Sequence, residues 1–151
     1  MNTLKQSEEQ NAFRRFIRNA GQEDQWFGVE SRPEPEPDLL CHHRFDGSIA
    51  IECVSITDRE IAKVFSAGGK ARRDAFVTSD PTGEIIRKKL HCSYKTLARR
   101  IDLLVYTDGR VISPDNQIMA VVLDWVGSIE HPFTNVWYSG ERMSRLLWSS
   151  A

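Results

Sequence analysis

The chain has no apolar run approaching the ~18 residues that a membrane-spanning helix needs, so no transmembrane segment is expected. Cysteine is sparse. Cys41, Cys53 and Cys92 make an odd set of three, too few to frame a disulfide-stapled domain, and a reduced, cytoplasmic setting is the expectation. The opening stretch MNTLKQSEEQ is polar and acidic. It lacks the basic start and apolar stretch of a secretory leader and the Arg-rich character of a transit peptide. There is little net charge, formally -1. No internal repeat and no low-complexity segment is found.

What is there suits one globular domain spanning 1–151: 151 residues, 40% hydrophobic and 27% charged, enough to bury a moderate core. The small net charge conceals segregation. Residues 1–60 carry 7 Lys/Arg against 12 Asp/Glu, residues 61–100 carry 10 against 3, and residues 101–151 carry 3 against 6. A basic middle between acidic ends suits a protein that binds a phosphate backbone near an acidic metal site. It suits equally a solvated basic helix that happens to lie mid-chain.

Periodicity predicts a helix over 3–20 with Phe13, Phe16, Ile17 and Ala20 on one face, ended by Gly21. Residues 25–30 read as a strand. The alternating prolines of Ser31–Pro37 predict a stiff, extended lead-in to Asp38. Leu39–Arg44 and Ser48–Ile56 read as a hairpin about Asp46-Gly47. A short helix over 58–65, a flexible loop over 66–83 and a basic helix from about 84 to Arg100 follow. That last helix has an apolar stripe of Ile86, Leu90, Tyr94, Leu97 and Ile101. Asp102–Thr107 reads as a buried strand and Asp108-Gly109 as a turn. Ser113-Pro114-Asp115 opens a helix to about Val126, with Ile118, Val122, Trp125 and Val126 inward. Residues 133–139 form the last core strand, and 142–151 a tail able to fold as a short amphipathic helix that docks on the domain or on a partner. The fold class expected is α/β tending to α+β: a mixed central sheet with an antiparallel hairpin and helices on both faces.

Pro37-Asp38, a hairpin, and then Ile51-Glu52 (PDLLCHHRFDGSIAIEC) resemble the signature of the PD-(D/E)xK superfamily of restriction-endonuclease-like nucleases. The element order agrees: a helix, a three-stranded meander carrying the Asp and the Glu, a helix and a further strand. The resemblance spans about residues 7–140. It implies metal-dependent hydrolysis of nucleic-acid phosphodiesters, DNA being the expected substrate. Mg²⁺ or Mn²⁺ would be held by Asp38, Glu52 and the backbone carbonyl of Cys53. A third acid from the first helix, Glu8 or Glu9, is a feature of many members, and many work as homodimers. A hard cation of this kind takes oxygen ligands and lowers the pKa of a water nucleophile. A carboxylate between Ile51 and Cys53 in an apolar strand also needs a partner or an ion to offset its burial.

Register is a condition on this reading. A two-residue turn at Asp46-Gly47 pairs Phe45 with Ser48 and sets Glu52 on the face opposite Asp38. A three-residue loop pairs Glu52 with His42 and sets both acids on one face. Convergence therefore calls for the longer loop or for a bend at Asp38.

The sequence departs from the family pattern at Val54, which occupies the position of the lysine two residues beyond the Glu. Some members supply that lysine from the following helix. Lys70, in the Gly-Gly loop, and Lys89, at the edge of the apolar stripe, are the candidates, whereas Lys88 falls on the solvent side. Arg72, Arg73, Arg87, Lys88, Lys95, Arg99 and Arg100 are candidate phosphate contacts. Val54 favours an alternative, a catalytically silent member that binds nucleic acid or protein as a regulatory module. A protein-binding factor acting through the 142–151 tail is a third reading. Cys41-His42-His43, Cys53 and His91-Cys92 fit no zinc-finger spacing. A nucleophilic Cys–His pair lacks an orienting third group.

Overall fold

A computed structural model of the chain describes residues 3–56, 94, 96–107, 114–128 and 130–150. The first helix, α1 (Thr3–Asn19), buries Ala12, Phe13, Phe16 and Ile17, the one-sided stripe that its spacing predicts. Its end is a Schellman cap. Gly21 has φ +68°, Gly21 N–H donates to the Arg18 carbonyl (3.1 Å) and Gln22 N–H to the Ile17 carbonyl (2.8 Å).

A single 3₁₀ turn, Glu23–Gln25, leads into β1 (Trp26–Ser31), followed by β2 (Leu39–His43), β3 (Gly47–Ile56), β4 (Arg100–Thr107), a helix α2 (Asp115–Ser128), β5 (Asn135–Ser139) and β6 (Ser144–Ser149). The six strands stand side by side in chain order. The β1–β2–β3 meander is antiparallel, β3–β4 and β4–β5 are parallel, and β6 returns antiparallel on β5. Helix α1 covers one face, on Leu39, Cys41, Ile49, Ile51, Cys53, Leu104 and Tyr106. Helix α2 covers the other with Ile118, Val121, Val122 and Trp125, on Val54, Ile56, Leu103, Val105, Val136 and Tyr138. The result is an α+β mixed sheet with a helix on each face. The two apolar sets alternate along β3 and β4 as the two-residue period of a strand demands.

Four expectations are corrected. The proline stretch does not run extended. It turns at Glu34-Pro35, with Glu36 N–H on the Pro33 carbonyl, and closes on itself where Arg32 N–H meets the Asp38 carbonyl (2.9 Å). Its bonds are local, so β1 and β2 pair as a hairpin.

The β2–β3 turn is Arg44–Asp46, not Asp46-Gly47, and His43 pairs with Gly47. The His43 ring explains the shift. Its Nδ1 accepts the amides of Phe45 (3.2 Å) and Asp46 (3.1 Å), while Gly47 takes φ +78°, a left-handed geometry that glycine tolerates.

The basic helix does not reach Arg100. Residues 96–99 are non-helical, β4 begins at Arg100, and Leu97 is fully exposed rather than inward. Ile101 belongs to β4, where β-branched side chains pack well between neighbours.

The tail is β6, not a helix. Its Met143, Leu147 and Trp148 pack on the α2 side, and pairing with β5 outweighs a weak local helical pattern. The predicted 58–65 helix, the 66–83 loop, the body of the 84–100 helix and the Asp108-Gly109 turn lie outside the described residues.

Candidate functional site

Asp38 stands where the proline loop enters β2, and Glu52 stands midway along β3. Leu39 pairs with Ile51 as the last pair of the ladder, so Asp38 and Glu52 lie next to each other just beyond it. Asp38 itself lies just before β2, outside the paired residues. The juxtaposition of the two acids follows from a closing pair of His43 and Gly47 in place of Phe45 and Ser48, which shifts the pairing by three residues.

Two reciprocal hydrogen bonds lock the pair. Asp38 N–H donates to Glu52 Oε1 (3.0 Å), and Cys53 N–H donates to Asp38 Oδ2 (2.9 Å). Glu52 is only 5% exposed, and its Oε2 accepts the Tyr94 hydroxyl (3.0 Å). These charge-assisted bonds offset part of the cost of burying a carboxylate.

Glu9 arrives from α1, also 5% exposed. Burial, then the negative charge of Asp38, pushes its carboxyl up to about 7, against the opposing pull of Lys5. A hydrogen bond with Asp38 and the charge of Glu52 add to the rise. Three acids, from α1, from the entry to β2 and from β3, therefore meet, and one of them holds a proton near neutral pH. Glu8 is exposed on the same helix, so of the two first-helix acids Glu9 is the one at the pair.

Tyr94 is the member that sequence reasoning missed. It was placed in an apolar stripe, and it does pack beside Phe133. Its hydroxyl was the available signal, because a buried tyrosine seeks an acceptor.

The other candidates separate. Val54 is buried in the α2-side core, on the same face as Glu52. Cys53 lends its amide to Asp38 while its side chain packs under α1. Burial, reinforced by Asp38 and Glu9, drives its thiol well above the ordinary range. Burial likewise raises Cys41. Neither is a ready thiolate.

Arg99 is exposed. Arg100 is engaged instead with the buried Asp102 (Nε to Oδ1, 3.2 Å) and with Asp46 (3.4 Å). Asp102 also accepts Trp137 Nε1 (3.2 Å) and Asn135 Nδ2 (3.4 Å). Burial raises its pKa while Arg100 and these donors pull it down, which makes the cluster a structural tie between β4 and β5. Lys70, Arg72, Arg73, Arg87, Lys88, Lys89 and Lys95 lie outside the described residues, as do His91 and Cys92.

Among the described residues no three His, Cys, Asp or Glu side chains are placed to share one metal ion. Two adjoining carboxylates suffice for Mg²⁺, which keeps several waters and takes one or two protein carboxylates. The donor chemistry of Asp38 and Glu52 fits such a hard cation.

Fold and site together define an α+β protein with a buried acidic centre at the edge of its meander. No family model matches the chain, and no curated protein and no solved structure matches it either. Among the described residues no helix is long and apolar enough to cross a membrane.

Proposed function

We propose that the chain is a PD-(D/E)xK-type, metal-dependent nuclease-like protein acting on nucleic acid, with DNA in a cytoplasmic setting as the expected substrate. The observation that carries this reading is the pair of hydrogen bonds that joins Asp38, at the entry to β2, to Glu52 and Cys53 of β3. The order α1, antiparallel meander and parallel β4 supports it. In this reading Asp38 and Glu52, with the Cys53 carbonyl, hold Mg²⁺ or Mn²⁺. The ion when bound supplies charge stabilisation and an acidified water. Glu9 holds or releases a proton beside the pair, and Tyr94 orients Glu52. Lys70 and Lys89 remain the proposed lysines, and the basic 61–100 stretch supplies the phosphate contacts.

Val54 favours a second reading. It fills the place of the usual lysine with a core side chain, as in a silent member that binds without cleaving. Calorimetric titration of Mg²⁺ and Mn²⁺ into wild type and Glu52→Gln, with plasmid nicking on the same samples, decides between them. Binding and nicking that both disappear in the variant support the nuclease. Metal binding without nicking selects the silent member, and no binding by wild type overturns the metal centre.

A further inference from the structure

A cavity of about 390 Å³ opens between α1 and the end of β4, lined by Leu4, Ser7, Glu8, Asn11, Arg15 and Tyr106. It lies at the carboxyl end of β4, and β3, β4 and β5 are mutually parallel. Ligands of open sheets gather outside the carboxyl ends of such strands. Arg15 is the cation of this cavity. Its Nη2 donates to the Thr107 carbonyl (2.6 Å), its Nε is buried without a hydrogen-bond partner, and no carboxylate pairs with it among the described residues. A half-buried guanidinium with five donors and one neutral acceptor is set for an anion. Ser7 and Asn11, two turns and one turn before it, add a hydroxyl and an amide on the same side of α1.

Tyr106, which lines the cavity, packs in the same core cluster as Cys53. The Tyr106 hydroxyl is raised by burial and then by the charges of Glu8, Cys53, Glu9 and Asp38. A group bound against Tyr106 therefore lies beside those acids.

We propose that this cavity seats a phosphate group of a nucleic-acid strand, with Arg15 as its charged contact and Ser7 and Asn11 as neutral ones. The proposal rests on the nuclease-like reading for the identity of the ligand, and it assigns that ligand a docking point that no motif residue marks. Glu8 is the one opposing charge in the lining. It is exposed at the rim, where solvent screens it.

The test is anisotropy of a fluorescein-labelled twelve-nucleotide single-stranded DNA with the full chain, at low salt in EDTA. Removing the metal separates strand binding from hydrolysis. Arg15→Ala is expected to raise Kd about tenfold and to lower the salt slope by about one ion, with Arg15→Lys restoring part of the loss. Arg15 also ties α1 to Thr107, so two exposed substitutions guard against a folding artefact. Asn11→Asp adds a negative charge and is expected to weaken binding, and Glu8→Gln removes one and is expected to tighten it, both with wild-type melting. Unchanged Kd and salt slope in Arg15→Ala and Asn11→Asp overturn the proposal, as does the absence of strand binding by wild type. Arg15-dependent strand binding by a chain that binds no metal through Glu52 upholds the phosphate seat and rejects the nuclease. Metal binding without Arg15 dependence does the reverse.

Discussion

Glu9 keeps its proton to about pH 7 because burial and the Asp38 charge both disfavour its ionised form. An acid whose folded pKa lies above its unfolded value costs the folded state stability once it ionises. For Glu9 that cost is absent below about pH 4.5, grows between about 4.5 and 7, and is complete above. Glu9→Gln in EDTA should therefore match wild type near pH 4 and exceed it by ~2–3 kcal/mol near pH 8. Urea melts across that range would show the two curves diverging. Parallel curves would place the titration elsewhere. At this scale the sequence was legible for Glu52, because a carboxylate between Ile51 and Cys53 is costly unless engaged. Tyr94 was hidden, because its ring satisfies an apolar pattern while only its hydroxyl serves the site.

At the scale of the element, β3 carries the argument. Its side chains alternate between two cores, Ile49, Ile51 and Cys53 toward α1 and Val54 and Ile56 toward α2. Glu52 is the polar break in the second row. A lysine at 54 would enter the α2-side core, where Val54 is 5% exposed. Val54→Lys is accordingly expected to lose about 3 kcal/mol or more and not to create cleavage, whereas Val54→Thr should cost less. Chemical denaturation and plasmid nicking of both variants check this. A stable, nicking Val54→Lys protein would mean that the position faces the site after all. The hairpin shows why register resisted sequence reasoning. Asp46-Gly47 has the composition of a two-residue turn, yet the His43 imidazole satisfies the amides of Phe45 and Asp46 and makes Arg44–Asp46 the turn.

For the whole molecule, the sheet is closed on one side by the proline-loop hairpin and on the other by β6. Deleting 141–151 removes the strand paired with β5 and takes Met143, Leu147 and Trp148 off the α2-side core. Full burial of groups of this size is worth ~1.5–3 kcal/mol each and these three are partly buried, so a fall in melting temperature with aggregation is expected rather than loss of a detachable docking tail. Scanning fluorimetry with gel filtration would register it. A truncated chain that melts like wild type would show that β6 is dispensable.

The sequence by itself determined the mixed sheet with a helix on each face, the span and buried face of α1, most of α2, the strand positions of the meander and the need of Glu52 for a partner. All of these follow from local periodicity, glycine and proline conformations, and the cost of an apolar neighbourhood to a charge. Only the tertiary structure decided the hydrogen-bonded juxtaposition of Asp38 and Glu52, the arrival of Glu9 and Tyr94 at that pair, the end of the basic segment before β4, and the strand form of the tail. Each of those depends on a partner distant in sequence: an imidazole that reshapes a turn, a neighbouring strand whose ladder outweighs weak helical propensity, or a carboxylate that draws in a hydroxyl from 42 residues away. A short-range pattern carries no information about such partners.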